Sequence, residues 1–274
     1  MARTVLLVGC GKMGSALLKG WLSTDPGADI TVIDPQADPV PFLAAVPCAR
    51  VTWLSDLSDL PATTFRPQVV VLAVKPQMLD PLLPAYAAFA GPHTVFLSIA
   101  AGKSLDGLQA GLGAQTAIVR SMPNTPAAIG RGVTVAIANR QVSPDQRELC
   151  DGLLRAVGDV AWINDESLMD AVTAVSGSGP AYVFLLAETL AAAGQAAGLP
   201  ADLAMHLARQ TLAGAGELLY RTSESAATLR QNVTSPGGTT EAALAVLMAE
   251  PEGLAALMRA AVAAAARRSQ ELRR

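Results

Sequence analysis

Seven short apolar runs, rich in β-branched residues, mark the first 163 residues of the chain. They lie at positions 5–8, 30–33, 69–74, 93–99, 117–120, 133–138 and 160–163. Stretches with a helical spacing of apolar residues, such as 13–22, 79–89 and 144–157, lie between them. The run 69–74 shows no alternation of apolar and polar residues, as expected of a strand buried on both faces. This order predicts an α/β fold, with a Rossmann-like, doubly wound parallel sheet over residues 1–163.

The strand pattern stops at residue 164. Alanine-rich helical runs follow, separated by breaks that contain Gly and Pro at 176–180, 198–200 and 235–238. Residues 164–274 are therefore expected to form an all-α C-terminal domain. Because small side chains give a thin core within one chain, we expect this domain to dimerise. A helical bundle complete in one chain is the alternative.

Length, charge and hydropathy limit the possible partners. The 274 residues are enough for two domains. A formal net charge of −3 argues against a nucleic-acid partner. Mean hydropathy is +0.36, which raises the question of a membrane. The longest candidate stretch, 181–199, is interrupted by Glu188 and Gln195, which favours a buried helix over a membrane span.

The N-terminus and the cysteines suggest a cellular compartment. The first apolar run ends at Gly9 and is too short for a signal peptide. The three cysteines are far apart in sequence, which indicates a reducing environment rather than a disulfide scaffold. A cytoplasmic location is therefore expected. His93 and His206 are also far apart, so spacing predicts no metal site.

A glycine-rich loop directly follows the first predicted strand and opens the first predicted helix. Its pattern is G-x-G-x-x-G, formed by Gly9, Cys10, Gly11, Lys12, Met13 and Gly14. In that context the first glycine permits a tight turn and the second lets a pyrophosphate approach the backbone. The third allows the helix to pack closely on the strand. The loop therefore predicts a dinucleotide site, with NADPH or NADH as the cofactor; a glycine-rich turn without a ligand is the alternative.

Asp34 ends the second predicted strand, 20 residues after Gly14. A carboxylate at this position typically binds the ribose 2′-hydroxyl of NAD. It disfavours NADP, because its charge would repel the 2′-phosphate. A solvated aspartate in a turn is the alternative, since Pro35 follows. The choice between NADH and NADPH stays open at this point.

The later part of the chain lacks the usual acid and base residues of dehydrogenases. No lysine follows Lys103, and none lies four residues after Tyr86, Tyr182 or Tyr220. His206 lies among apolar residues of a predicted helix, which favours a packing role. Reduction of an imine fits such a site, because a protonated C=N group accepts hydride without a Lewis acid.

Five segments together resemble the pyrroline-5-carboxylate reductase family. They are the glycine loop, Ala-Val-Lys-Pro-Gln at 73–77, Arg-Ser-Met-Pro-Asn-Thr-Pro-Ala at 120–127, the stretch 170–182 that contains Ser-Gly-Ser-Gly-Pro, and Val-Thr-Ser-Pro-Gly-Gly-Thr-Thr at 233–240. The resemblance extends from about residue 3 to Leu272.

The resemblance implies hydride transfer from NADPH or NADH to L-1-pyrroline-5-carboxylate, giving L-proline in the last step of proline biosynthesis. It implies Rossmann domains joined to interwoven helical dimerisation domains, hence a homodimer at least, and decamers as in several relatives. The active site of such enzymes lies where the cofactor domain of one protomer meets the helices of the dimer.

The resemblance also implies roles for particular residues. Thr173 is expected near the imine nitrogen, as a donor or relay of the proton; a helix threonine bonded to its own turn is the alternative. The substrate carboxylate is expected at exposed N–H and hydroxyl groups before a helix; a capped loop is the alternative. The residues of this carboxylate loop are Ser235, Gly237, Gly238, Thr239 and Thr240.

Three further segments should line the cofactor, because each follows a predicted strand. They comprise Ala73, Val74, Lys75 and Pro76, then Ile99, Ala100 and Ala101, and finally Asn124. Lys75 is alternatively a surface lysine, and Asn124 either bonds a carboxamide or fixes its own loop.

Other functions compete with this interpretation. A reductase of a related cyclic imine would keep the carboxylate loop and differ in pocket volume. A catalytically silent NAD(P)-binding sensor would bind cofactor without turnover. A coenzyme F420-linked NADP reductase would share a similar glycine loop but would not need the loop at 235–240.

Overall fold

The computed structural model describes residues 4–25, 27–36, 50–60 and 65–272. Its strands are β1 (Thr4–Val8), β2 (Asp29–Ile33), β3 (Arg50–Leu54), β4 (Val69–Leu72), β5 (Val95–Ser98), β6 (Ala117–Met122), β7 (Gly132–Ala138) and β8 (Gly158–Trp162). The helices of this part are α1 (Lys12–Thr24), α2 (Pro76–Tyr86), α3 (Leu105–Leu112), α4 (Pro144–Arg155) and α5 (Met169–Val172). The predicted alternation of strands and helices is confirmed, and β3 is a strand that the sequence pattern did not indicate.

The eight strands form one sheet in the order β3-β2-β1-β4-β5-β6-β7-β8. Strands β1 to β6 are parallel, as predicted, and the order reverses between β1 and β4. Strand β7 departs from the prediction, because it runs antiparallel to β6. Only a short connection with the 3₁₀ turn Thr125–Ile129 joins β6 to β7, which leaves no room for a crossover helix. Strand β8 is again parallel to β7.

Apolar side chains pack on both faces of the sheet. On one face α1 contributes Leu17, Leu18 and Trp21 to a buried cluster. On the other face α2 and α3 contribute Leu79 and Leu108. All four residues of β4 are buried, which explains their unbroken apolar sequence.

The chain divides into two compact units. One comprises Met1–Gly177 together with Ala266–Arg274, and the other comprises Ser178–Ala265. The sequence places the domain boundary after residue 163, whereas the first compact unit continues to Gly177; the boundary at 163 stays a prediction.

The remaining helices are α6 (Gly179–Ala196), α7 (Ala201–Arg221), α8 (Ala226–Asn232), α9 (Thr239–Leu247) and α10 (Leu254–Leu272). Every regular element that the structure describes after Trp162 is thus helical, as predicted. Within the second unit the buried positions of α6 and α7 are occupied by alanine, at Ala191, Ala204 and Ala208. No helix among the described residues is long and apolar enough to cross a membrane.

Candidate active site

Three of the predicted cofactor segments meet at the carboxyl edge of the sheet. The Gly9 N–H donates to Ile33 O at 2.9 Å, the Ala73 N–H to Val8 O at 2.8 Å, and the Ile99 N–H to Leu72 O at 3.1 Å. Each bond joins the residue that directly follows one strand to the last residue of the neighbouring strand. The glycine loop and segments 73–76 and 99–101 therefore lie side by side, at the position where open α/β sheets bind ligands.

The three glycines of the loop have different surroundings. Gly9 has a φ of +90°, and a Cβ there would come within 2.9 Å of Val74 Cγ1. A Cβ on Gly14 would press against the carbonyl oxygen of Gly9. At Gly11 no atom of the described residues, other than Gly11 itself and its chain neighbours, lies within 4 Å of the Cβ position, so this part of the loop leaves open space there. This arrangement matches the roles that the pattern predicts.

The N-terminus of helix α1 lies beside that space. Gly11 is its N-cap residue, and no side chain caps the helix. The first turn carries no acidic residue, and Lys12 is exposed while Met13 is half-buried. The free N–H groups and the helix dipole suit the negative charge of a pyrophosphate.

Asp34 is bonded to the glycine loop itself. One carboxylate oxygen accepts the Cys10 N–H at 2.6 Å, and the other accepts the Gln36 N–H at 2.8 Å. Burial, and secondarily the Asp34 charge, raise the pKa of the Cys10 thiol to about 12. The structure thus gives Asp34 a loop-bracing bond that neither sequence interpretation anticipated.

Segments 73–76 and 99–101 differ in exposure. Ala73 and Val74 are half-buried, whereas Lys75 is exposed and forms the N-cap of α2. Pro76 occupies the first turn of α2, where its missing N–H costs nothing. After β5, residues Ile99 and Ala100 are buried and Ala101 is exposed.

Asn124 lies just beyond the end of β6 and is 8% exposed. Its Oδ1 accepts the Val133 N–H at 3.0 Å, and its Nδ2 donates to Ser176 O at 3.0 Å. The loop-fixing role that the sequence left open is therefore formed in the structure.

Thr173 begins the π-helical turn Thr173–Gly177. Such turns are rare and frequently lie at functional sites. The half-buried Thr173 hydroxyl donates to Met169 O at 2.8 Å, the local bond considered as the alternative. This bond uses the hydroxyl proton as the donor, and the Thr173 oxygen can still accept a hydrogen bond from another group. Through Asn124, this turn is held at the same carboxyl edge as the cofactor segments.

The carboxylate loop lies in the second unit, before α9. Gly237 has a φ of +69°, and the Gly238 N–H donates to Ser235 O at 3.0 Å. Gly238 is the N-cap of α9 without a side-chain cap, Thr239 is exposed and Thr240 is half-buried. The Gly237 N–H donates to Glu241 Oε2 at 2.8 Å, so an acidic side chain shares this helix N-terminus. Sequence reasoning missed this role of Glu241; the signal was a glutamate directly after Thr240 in the first turn of the helix, where carboxylates often bond back to the preceding backbone.

Two polar pairs, one partly buried and one buried, were also missed. Arg120 Nη1 lies 2.6 Å from Glu166 Oε1, and Ser269 Oγ donates to Asp170 Oδ1 at 2.8 Å. Both pairs join residues far apart in sequence, so no local pattern marks them. In the described ranges, no group of three or more His, Cys, Asp or Glu side chains is arranged to hold a metal ion.

The sheet, its switch point and the glycine loop define a Rossmann-type, dinucleotide-dependent oxidoreductase. Residues 166–272 match the family model described as pyrroline-5-carboxylate reductase dimerisation, and residues 4–102 match that of NADP oxidoreductase, coenzyme F420-dependent. The pyrroline-5-carboxylate reductase of Pseudomonas aeruginosa is 40% identical over 269 residues, covering 98% of this chain and 96% of the relative. The chain belongs to the pyrroline-5-carboxylate reductase family.

Solved structures agree with this assignment. A pyrroline-5-carboxylate reductase from Coxiella burnetii is 35% identical and superimposes with a TM-score of 0.89 over 100% of both chains. The Plasmodium falciparum pyrroline carboxylate reductase, solved with NADP bound, is 28% identical with a TM-score of 0.81, covering 99% of this chain and 98% of that one.

Family membership confirms the predicted class of activity. The chain is an NAD(P)H-dependent oxidoreductase, and the reaction of its family is the reduction of L-1-pyrroline-5-carboxylate to L-proline, the final step of proline biosynthesis. The dimerisation region indicates a homo-oligomer, as expected from the alanine-rich helices.

Proposed function

We propose that this chain reduces L-1-pyrroline-5-carboxylate with the residues that the sequence singled out. The observation that carries the proposal lies within the first compact unit, where the glycine loop and the Thr173 turn are held at one edge of the sheet. Hydride chemistry requires the donor and the imine to meet at such an edge.

The glycine loop would bind the pyrophosphate of NADPH or NADH through the α1 N-terminus. Gly9, Gly11 and Gly14 shape the loop, and the Cβ position of Gly11 has no atom of the described residues within 4 Å beyond its chain neighbours. Segments 73–76 and 99–101 would line the rest of the dinucleotide. When bound, the nicotinamide supplies the hydride.

Asp34 bears on the choice of cofactor. Two backbone N–H groups already bond its carboxylate, which reduces its repulsion of a 2′-phosphate. We therefore expect the chain to accept NADPH as well as NADH, and the ratio of the two rates measures how strongly Asp34 discriminates.

The carboxylate loop, comprising Ser235 and Gly237 to Thr240, would bind the substrate carboxylate. Backbone N–H groups and hydroxyls converge at the start of α9, where the helix dipole favours an anion. Glu241 must yield its bond to Gly237, or share that N–H, when the carboxylate binds.

Thr173 would act on the imine nitrogen. Hydride adds to the C=N carbon, the C=N π bond breaks, and the nitrogen holds one proton in the product amine. The Thr173 oxygen can accept a hydrogen bond from a protonated imine while its own hydroxyl proton stays hydrogen-bonded to Met169 O. It would thereby orient the electrophile, or relay a proton from water to a neutral imine.

Assembly and location complete the proposal. A homodimer is the expected minimum and a decamer the expected larger assembly, in the cytoplasm and without a nucleic-acid partner. Light scattering coupled to gel filtration measures the assembly, and a mass of two or ten protomers would agree with it.

An assay at 340 nm with L-1-pyrroline-5-carboxylate, run with NADPH and with NADH, tests the reaction. We expect cofactor oxidation with equimolar proline, and Thr173→Val should lower kcat by about 10- to 100-fold while cofactor affinity is kept. Thr189→Val is the control, because Thr189 also bonds its own helical turn, at Leu185 O, but lies in α6.

Three results would contradict the proposal. Cofactor binding without turnover would indicate a sensor. Faster reduction of a six-membered cyclic imine would indicate the related reductase. A wild-type kcat in Thr173→Val would remove Thr173 from the mechanism.

A further inference from the structure

One face of β6 and the residues beyond it holds the segment that leads to Thr173. Arg120, Met122 and Asn124 are spaced two residues apart, so their side chains leave an extended chain on the same side. Arg120 bonds Glu166 at 2.6 Å, and Asn124 bonds the Ser176 carbonyl at 3.0 Å. The three side chains thus hold the stretch 166–177 at its beginning and at its end.

Met122 packs against the end of the π-helical turn. A Cβ on Gly177 would come 2.5 Å from Met122 Cε, so the absence of a side chain lets the methyl group lie against the backbone. The turn is therefore held by a nonpolar contact at Gly177 and by a hydrogen bond at Ser176.

The hydrogen bond from Asn124 Nδ2 to Ser176 O stabilises the π-helical turn. A π turn has a different hydrogen-bond pattern from the α-helix that follows it, so it persists only where tertiary contacts favour it. The Ser176 carbonyl receives its donor from Asn124 Nδ2, and the other side of the same amide is fixed by the Val133 N–H. Without that donor the turn would lose a partner that sets its geometry, and Thr173 begins this turn.

We propose that Asn124 is a positioning residue for Thr173, holding the π-helical turn so that the Thr173 hydroxyl faces the imine. The inference rests on the proposed role of Thr173. It assigns the effect of Asn124 to the rate of the chemical step, through Ser176, rather than to the affinity for the cofactor.

Asn124→Asp isolates the relevant bond. Aspartate keeps an acceptor for the Val133 N–H but replaces the donor to Ser176 O with an oxygen that repels it. We expect kcat to fall by about 10- to 100-fold, because small misplacement of a reacting group has effects of that size. The dissociation constant of NADPH, measured by fluorescence titration, should stay within about twofold of wild type, since the altered bond is internal to the protein.

A double-mutant cycle with Thr173→Val distinguishes positioning from general damage. If Asn124 acts through Thr173, then Asn124→Asp should lower kcat little or not at all in the Thr173→Val background. Multiplication of the two effects would overturn the inference, and so would an NADPH dissociation constant that rises about tenfold while kcat is kept.

Asn139 provides a matched control at the opposite end of β6. Its Oδ1 accepts the Ile118 N–H at 3.1 Å, and its Nδ2 donates to Thr116 O at 2.8 Å. Asn139→Asp therefore removes an equivalent bond, remote from the π turn. It should lower Tm about as much as Asn124→Asp and leave kcat unchanged; an equal loss of kcat in both variants would overturn the inference.

Gly177→Ala perturbs the same turn from its other contact, if Asn124→Asp does not fold. Its methyl group must displace the Met122 side chain. We expect the same loss of kcat at unchanged NADPH affinity, again absent in the Thr173→Val background. A normal kcat in Thr173→Val removes Thr173 from the mechanism, and with it the premise of the positioning role. A low kcat in Thr173→Val with a normal kcat in both Asn124→Asp and Gly177→Ala refutes only the positioning role.

Discussion

The glycines of the loop after β1 differ in what a side chain would meet. Gly9 and Gly14 are surrounded by protein, and a Cβ at either would collide with backbone or with Val74. Beyond its own chain neighbours, Gly11 has no atom of the described residues within 4 Å of that position. Thus two of the glycines serve the packing of strand, loop and helix, and we expect Gly11 to be kept small by the bound cofactor. The sequence pattern shows all three as glycine and cannot rank them.

Gly11→Val should fold normally and fail to bind cofactor. The valine meets open space in the protein but fills the position of the pyrophosphate, so the dissociation constant of NADPH should rise by about 100-fold or more. Fluorescence titration measures it. Gly91→Val is the control, because among the described residues Gly91 also has no atom beyond its chain neighbours within 4 Å of its Cβ position, and it precedes β5 at the opposite edge. Equal NADPH affinity in Gly11→Val and wild type would refute the pyrophosphate site.

The N-termini of α1 and α9 are the two helix ends at which an anionic group is expected to bind. The α1 N-terminus has no acidic residue in its first turn, whereas the α9 N-terminus has Glu241 there. Both ends favour anions, and at both the protein supplies a carboxylate to the residue before the N-cap: Asp34 bonds the Cys10 N–H before α1, and Glu241 bonds the Gly237 N–H before α9. An incoming substrate carboxylate would compete with the Glu241 bond at α9, and a pyrophosphate at α1 would bind beside the Asp34 carboxylate.

Thr240→Ala should raise the KM for L-1-pyrroline-5-carboxylate by about tenfold with kcat within about twofold, because a hydrogen bond to a charged group contributes roughly 1.5 kcal/mol or more. Steady-state kinetics at saturating NADPH measures both constants. Ser225→Ala, which removes the hydroxyl cap of α8, is the control and should leave KM unchanged. An unchanged KM in Thr240→Ala would count against the carboxylate role of Thr240.

The second compact unit is too thin to bury its own apolar residues. Among the described residues its buried side chains are alanines, while Phe184, Leu186 and Leu219 are each at least 45% exposed. Large exposed apolar patches mark interaction surfaces, and the dimerisation family match covers this region. The apolar surface of the helical domain is therefore expected to be buried only when a partner chain covers it.

Phe184→Glu should break the homo-oligomer into monomers. The side chain of Phe184 is 61% exposed in the single chain, and we expect the partner chain to cover it. Burying a glutamate charge there would cost roughly several kcal/mol of association free energy per interface. Gel filtration with light scattering gives the mass. Met78→Glu, at a position 50% exposed on α2, is the control and should keep the wild-type mass. An unchanged mass in Phe184→Glu would place the interface elsewhere.

Local sequence was sufficient for the parts that local physics controls. The apolar run of β4, the glycine loop and the alanine-rich helices each carry their own periodicity or turn chemistry, so the sheet, the dinucleotide loop and the helical domain were predicted. Strand β3 was missed, because its polar residues Arg50 and Thr52 interrupt the apolar pattern. The direction of β7 was missed because it depends on the length of the connection after β6.

The amino-acid sequence by itself determined the class of fold, the dinucleotide loop and the resemblance to a family, since each rests on residues close together in the chain. Only the tertiary structure decided that Asp34 bonds the loop at Cys10 and that Asn124 reaches Ser176, 52 residues away. It also decided that Arg120 pairs with Glu166. A side-chain amide or carboxylate bonds whichever partner the fold brings within about 3 Å, and no local pattern encodes that distance.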